Sequence, residues 1–346
     1  MSAKLCERKI FISSTIRNLS NERKAVVERL CMPFEHVRFR AISSEIPESL
    51  HMSGNDIETY SEYSPNLFIL NQVKYADYFL IIINDSYYGE QNIRDIHAFK
   101  KEREIISVTH AEFRAAFRQA QPIFAFIEKD TLRRYRRNPF RLKKKEKDIR
   151  IYDLIDEIWK RRKGLNVTIA TYTSPQDLVN KMDEIFNSYD KSKYVYSEFD
   201  EEICRSGEEV TALWEVVNEG CVVWKNRFFK EQNTSFRRFL RESAKIILRT
   251  DRSVKFHVKL FTFCHKWFQY LGVVIRGRNS MAEHALYPVK ETRPGEKVRL
   301  IVKYTAPPIP GARVSCWIMV DSAGKKIYKN LVPLEAEFFV EDTHHE

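Results

Sequence analysis

The hydrophobic rhythm of the chain changes once along its length. Up to about residue 190, short apolar runs alternate with stretches of helical spacing. Lys9-Ile-Phe-Ile-Ser13 reads as a short strand, and Leu19, Val26, Val27 and Leu30 fall at helical intervals. Residues 37–42 predict a second strand and residues 65–74 a helix. Tyr78-Phe-Leu-Ile-Ile-Ile83 is apolar throughout, as a strand covered on both faces must be. A helix over 110–120 leads to a strand over 123–127; after a basic stretch come a helix over 151–162 and a strand over 167–172. The next helix is marked by Ser174 as N-cap, Pro175 at its first position and Asp177 in its first turn. Five strands interleaved with helices predict an α/β domain, a parallel sheet with helices on both faces.

From about residue 204 the period becomes two. Thr211-Ala-Leu-Trp-Glu-Val-Val217, Lys255-Phe-His-Val-Lys-Leu260 and Lys297-Val-Arg-Leu-Ile-Val-Lys303 alternate, with Pro294-Gly295 and Pro310-Gly311 as turns between runs. That pattern predicts an all-β sandwich. The expected organisation is an α/β domain over 1–190, a linker over 191–203 and a β domain over 204–346.

Composition removes several function classes. The 346 residues are 43% hydrophobic and 30% charged, with no apolar run near membrane-span length. The first nine residues carry no apolar segment and the six cysteines form no CxxC pair, so a cytoplasmic protein with reduced thiols and no membrane is expected. Only ten glycines occur and the first is Gly54, which excludes a glycine-cradled phosphate loop after the first strand. Gly272 and Gly277 have P-loop spacing, but Arg278 and Asn279 stand where Lys and Ser/Thr are needed. His97 and His110 have no partners at metal-ligand spacing, so no metal is assigned.

The net charge of +11 is concentrated. Residues 131–150 hold Arg133, Arg134, Arg136, Arg137, Arg141, Lys143, Lys144, Lys145, Lys147 and Arg150 against Glu146 and Asp148. Two readings stand side by side: a solvated basic loop, or a phosphate or nucleic-acid contact through Arg133, Arg134, Arg136 and Arg137. Tyr135 and Phe140 are few aromatics for a base-stacking platform.

Ligands of open parallel sheets bind at the carboxyl ends of the strands. There the chain offers Ser13, Ser14 and Thr15 after the first strand, and Asp85, Tyr87 and Tyr88 after the third. Ser107-Val-Thr-His-Ala-Glu112 opens the helix before the fourth strand and puts Glu112 in its first turn. The hydroxyls suit a phosphate or ribose, and a carboxylate such as Glu112 suits a nucleophile or a stabiliser of a cationic sugar. Plainer roles fit the same residues: Ser13–Thr15 as helix caps, Thr109 and Glu112 as a capping box, Asp85 as a turn residue.

Three blocks shift this balance. Lys9-Ile-Phe-Ile-Ser-Ser-Thr-Ile-Arg-Asn-Leu-Ser-Asn-Glu-Arg23, Tyr75-Ala-Asp-Tyr-Phe-Leu-Ile-Ile-Ile83 with Tyr88-Gly89, and Ser107–Phe113 with Pro122–Phe126 resemble domain of unknown function 4062. That family is similar in fold to TIR domains and nucleoside 2-deoxyribosyltransferases, which cleave N-glycosidic bonds of NAD or nucleosides. The resemblance implies a flavodoxin-like/TIR-like sheet, with Glu112 and Asp85 catalytic, Asp85 being the rim carboxylate that orients the sugar. It also implies that Ser13, Ser14, Thr15, Tyr88, Ser107 and Thr109 hold the substrate. NAD would be substrate, not cofactor. The family pattern departs at Asn18, Tyr87 and His110, and 131–150 reads as an insertion.

In the second half, Trp214-x3-Asn218-x-Gly220-x3-Trp224, Pro294-Gly295-Glu296 and Ser315-x-Trp317-x3-Asp321-x2-Gly324 resemble the Ig-like four-tryptophan domain of autophagy cargo receptors. An insertion spans about 230–280 and contains Trp267. These tryptophans read as core packing, and the domain class implies a protein partner. Together the resemblances imply an effector of a prokaryotic-type, antiviral immune system, with an NAD- or nucleotide-cleaving domain and a docking or sensing domain. The other readings are a non-enzymatic adaptor that assembles through its TIR-like domain, and a nucleic-acid-binding protein.

Overall fold

In the computed structural model, residues 5–14, 19–42, 72–85, 93–94, 105–137, 149–162, 166–200, 203–232, 282–308, 311–328 and 333–341 are described. The chain divides into two compact units, Met1–Tyr189 and Asp190–Glu346. Among the described residues no helix is long and apolar enough to cross a membrane.

The first unit is built on a five-stranded parallel sheet of β1 (Cys6–Ser14), β2 (Val37–Ile42), β3 (Tyr78–Ile83), β6 (Ile123–Glu128) and β7 (Val167–Tyr172). Their order is β2-β1-β3-β6-β7, so the direction of winding reverses between β1 and β3. The short strands β4 (Ile93–Arg94) and β5 (Ile105–Ile106) pair with each other. The helices are α1 (Ser20–Cys31), α2 (Val108–Arg118), α3 (Lys129–Arg137), α4 (Ile149–Arg161) and α5 (Pro175–Ser188). Ser174 caps α5 as the sequence predicts, its hydroxyl accepting the Asp177 backbone N–H at 3.2 Å. Most of the helix expected over 65–74 lies outside the described residues.

Alternation along each strand sends odd and even positions to opposite faces. Phe11, Phe79, Ile81, Ile123, Ala125 and Ile127 pack with Phe113 of α2 and Leu154, Ile155 and Ile158 of α4. On the other face Phe39, Tyr78 and Phe124 meet Phe34 and Phe186 in edge-on and tilted ring contacts at 4.7–5.7 Å. Helices therefore cover both faces, and β3 is buried over all six residues.

The second unit differs from expectation at its start. Residues 191–203, read from the sequence as a linker, carry β8 (Ser192–Phe199), which pairs antiparallel with β10 (Glu209–Asn218). It shows no alternation of apolar and polar positions, because β8 is an edge strand whose consecutive Tyr194, Val195 and Tyr196 are all exposed. One sheet has the order β13-β10-β8, with β13 at Lys297–Thr305. The other runs β12-β11-β14-β15-β9, comprising β12 (Leu286–Val289), β11 (Arg227–Glu231), β14 (Gly311–Asp321), β15 (Leu334–Val340) and β9 (Ile203–Cys204). Both sheets share one core containing Trp214, Trp224 and Trp317. These tryptophans are packing residues: Trp317 Nε1 donates to the Tyr304 hydroxyl at 2.9 Å and Trp224 Nε1 to Asp190 Oδ1 at 3.0 Å. Residues 233–281, most of the expected insertion and all of the strand-like run 255–260, lie outside the described residues.

Asn218 joins three segments of this unit from full burial. Its Nδ2 donates to the carbonyls of Val222 (2.8 Å) and Thr292 (3.0 Å), while its Oδ1 accepts the Gly220 N–H (3.0 Å). The Gly295 N–H, in a left-handed turn at φ 82°, adds a bond to the Asn218 carbonyl at 2.8 Å. Asn218→Ala leaves buried donors and acceptors unpaired, so it should destabilise the β unit by about 3 kcal/mol. Denaturant unfolding followed by tryptophan fluorescence reads this directly; a loss under about 1 kcal/mol would contradict the assigned role.

Candidate functional site

The carboxyl end of β1 places two consecutive hydroxyls on opposite faces of the sheet. Ser13 points to the α2 side, where its Oγ donates to Glu112 Oε2 at 2.5 Å. Ser14 points to the α1 side, where its Oγ accepts from Arg23 Nη1 at 2.8 Å. All four side chains are buried. In register, Ser13 stands beside Ile81 and Ser14 beside Ile82 of β3, so the cluster sits at the point where the strand order reverses. Ligands of open α/β sheets bind in the crevice at such points.

Glu112 does not occupy the first turn of its helix. Ser107 is the N-cap, its Oγ accepting the His110 N–H at 3.2 Å, so α2 begins earlier than expected and Glu112 lies in its second turn. The Thr109–Glu112 capping box is thereby replaced: Ser107 caps, and the Glu112 carboxyl turns to Ser13 instead. Burial is the main influence on that carboxyl and pushes its pKa up from 4.5 to about 7, against the opposing pull of the Ser13 hydrogen bond and the Arg23 charge. At neutral pH a small change in surroundings then decides whether Glu112 is an acid or an anion.

Helix α2 is held on its other side by α4. His110 Nε2 lies 2.6 Å from Glu157 Oε2, and Arg114 Nε donates to both oxygens of Glu157 at 3.0 and 3.2 Å. Arg161 adds an ion pair and lays its guanidinium over the Phe117 ring at 4.2 Å. Burial pushes Glu157 up, but the bonds from His110 and Arg114 and the nearby charges outweigh it and hold its carboxyl at about 2. A buried acid on α2 and a firmly ionised one on α4 thus have opposite electrostatics within one helix pair.

Asp85 follows β3 and is paired with Arg134 of α3 at 2.7 Å, both side chains about half exposed. Arg133 pairs with Asp130 at 2.9 Å and Arg136 is exposed. The backbone of Arg137 ends α3. The first part of the stretch read as a basic loop is therefore helical, while residues 138–148 lie outside the described residues. So do Thr15 and Tyr88. Thr109 is half-buried on the first turn of α2. The structure thus gathers Ser13, Ser14 and Glu112 at β1, sets Asp85 and Arg134 at the end of β3, and leaves Ser107 and Thr109 at the start of α2.

Sequence reasoning missed Arg23, His110, Arg114 and Glu157 as site-building residues. The signal for Arg23 was its position three residues before Val26 and seven before Leu30, an arginine on the buried stripe of α1. His110 and Arg114 lie one helical turn apart, the spacing that lets two side chains share one partner. Among the described residues no group of three or more His, Cys, Asp or Glu side chains is placed to hold a metal ion.

Three of the solved structures that resemble the chain are distant likenesses. The alkylpurine DNA glycosylase AlkC of Pseudomonas fluorescens, bound to DNA with an abasic site analogue, aligns at 9% identity and TM-score 0.23, over 43% of this chain and 30% of that one. A β-glucosidase of Listeria innocua in complex with isofagomine aligns at 10% identity and TM-score 0.26, over 97% of this chain and 47% of that one. The β-glucosidase EmGH1 of Erythrobacter marinus aligns at 9% identity and TM-score 0.22, over 97% and 47%. The chain spans less than half of each of these proteins, and likeness this weak carries no argument. Comparison with curated proteins finds no match. The family model described as Domain of unknown function (DUF4062) matches residues 9–187, from the middle of β1 to the end of α5 and more than half of the 346 residues, and the chain belongs to that family.

Proposed function

We propose that the α/β unit cleaves the N-glycosidic bond of a nucleotide such as NAD, with Glu112 as its catalytic carboxylate, and that the β unit docks a protein partner. The observation that carries this reading is the buried Glu112–Ser13 pair at the carboxyl end of β1, with Glu112 raised to about 7. When the bond breaks, its electron pair leaves with the base and positive charge develops at C1′. Water then supplies hydroxide to C1′; with NAD the nicotinamide leaves neutral once it has taken the electron pair, and the remaining proton of the water passes to solvent. A carboxylate stripped of water is poorly stabilised until a cation forms beside it, so it favours this transition state over the ground state. The strand order, with its reversal between β1 and β3, agrees with a flavodoxin-like or TIR-like assignment, and the two sheets around three buried tryptophans agree with an Ig-like one.

One observation favours a second reading. Glu112 is only 4% exposed and already hydrogen-bonded, which also suits a polar link pinning α2 to β1 in a non-enzymatic adaptor. Chromatography of NAD, NADP, ATP and nucleosides incubated with the protein at high and low concentration separates the two. The enzymatic reading expects free base from the wild type and a loss of about a hundredfold or more in Glu112→Gln. No free base at either concentration would sink it and leave the adaptor.

The pH dependence has a definite sign. The ionised carboxylate is the active form, so kcat/KM should rise with pH and level off above about 7. Stability should move the other way. Because the folded pKa is raised from 4.5, the protonated group contributes stability that is complete below about 4.5 and lost as pH rises through about 7. The shift corresponds to about 3 kcal/mol in the α/β unit, and this slope should be absent in Glu112→Gln. Melting curves between pH 5 and 8 test it; a wild-type slope identical to that of the variant would contradict the raised value.

A further inference from the structure

The basic helix α3 is not simply a solvated element. It follows β6 without a break, so it starts at the carboxyl edge of the sheet. Its inner side is fastened: the Thr131 hydroxyl donates to Glu128 at 2.7 Å, Leu132 enters the core, and Tyr135 stacks on Tyr152 while its hydroxyl donates to Asp156. That leaves Arg133, Arg134 and Arg136 outward. Arg134 reaches the end of β3, where Nη1 donates to Asp85 Oδ2 at 2.7 Å. Strand β3 is the neighbour of β1, so the Asp85 that this guanidinium holds follows the strand next to the one that carries Ser13.

The pairing is easily exchanged. Arg134 and Asp85 are 51% and 42% exposed, and half-exposed ion pairs of this kind add little to stability. A phosphate offers the same guanidinium two parallel hydrogen bonds and more charge than one carboxylate. Arg133 and Arg136 add positive potential that draws an anion to this edge. The carboxylates a phosphate must compete with are Asp85 on Arg134, Asp130 on Arg133 at 2.9 Å and, further off, Glu128, and the last is engaged by Thr131.

We infer that Arg134, supported by Arg133 and Arg136, forms a phosphate subsite at the carboxyl ends of β3 and β6, and that the ligand of the α/β unit is a phosphate-bearing nucleotide in preference to a free nucleoside. This rests on the proposed glycosidic reading for what happens at Glu112, but binding can be measured without any cleavage. The subsite needs no glycine loop, consistent with the absence of one after β1.

The test is isothermal titration of the full chain with adenosine, AMP and ADP at low and moderate salt. Each phosphate should tighten binding, with ADP at least about tenfold tighter than adenosine. Arg134→Gln should remove that gain and leave adenosine binding unchanged, whereas Arg134→Lys should keep part of it. Asp85→Asn should strengthen ADP binding by removing the competing carboxylate. Melting curves check that each variant is folded. ADP binding no tighter than adenosine, no binding of any of the three, or a gain that survives Arg134→Gln overturns the subsite. So does a 20-nucleotide strand that binds far more tightly than ADP and is weakened equally by Gln at Arg133, Arg134 or Arg136, which would mark a polynucleotide surface. If ADP binds through Arg134 while no free base is ever released, the subsite stands and the glycosidic reading falls. If base is released but Arg134→Gln has no effect on phosphate affinity, the reverse holds.

Discussion

A carboxyl group buried at the carboxyl end of β1 sets the terms for the α/β unit. Glu112 gives up its hydration, and the folded chain returns one short bond from Ser13 and the more distant charge of Arg23. That is enough to keep the group polar-partnered but not enough to keep it a comfortable anion, which is why its pKa rises. The same local geometry explains how the site is shared between layers. Adjacent residues of one strand point to opposite faces, so Ser13 serves α2 while Ser14 serves Arg23 on α1. A one-residue slip of β1 that brought Ile12 to the place of Ser13 would set an apolar side chain against Glu112 and turn Ser13 to Arg23.

Holding that carboxyl in place requires α2 to sit at a fixed height against the sheet. Phe113 and Ala116 provide the apolar contact, and the Glu157 cluster supplies direction from α4. The two acids have opposite fates because they have different neighbours. Among the described residues, Glu157 gathers an imidazole and two guanidinium groups, whereas Glu112 receives a single hydroxyl at bonding distance. The rim beyond β3 is different again: there charges are half-exposed and exchangeable, which suits binding more than holding structure.

Much of this architecture was legible in the sequence. Apolar runs bounded by helical spacing located the five parallel strands, and the all-apolar β3 correctly implied cover on both faces. The period-two texture after residue 204 announced the antiparallel sheets, and the tryptophans were read as core. The misreadings have physical causes. Edge strand β8 exposes Tyr194, Val195 and Tyr196 in a row instead of alternating, so it passed for a linker. The start of α2 moved because Ser107 caps better than the sequence spacing of Thr109 and Glu112 suggests. His110 looked solitary because its partner, Glu157, lies 47 residues away in the chain. The Asp85–Arg134 pair, 49 residues apart, was hidden for the same reason: hydrophobic period locates elements, but it does not say which polar groups the folded sheet brings together.

The central claim is that burial holds Glu112 near neutrality while Ser13 opposes that rise. Carbon NMR of the protein labelled at glutamate side-chain carboxyls, with the Glu112 signal assigned by its loss in Glu112→Gln, follows this group directly through a pH titration. The account predicts a midpoint near 7 in the wild type and a higher one in Ser13→Ala, where the opposing hydrogen bond is gone. A midpoint near the ordinary 4.5, unmoved by Ser13→Ala, would contradict it.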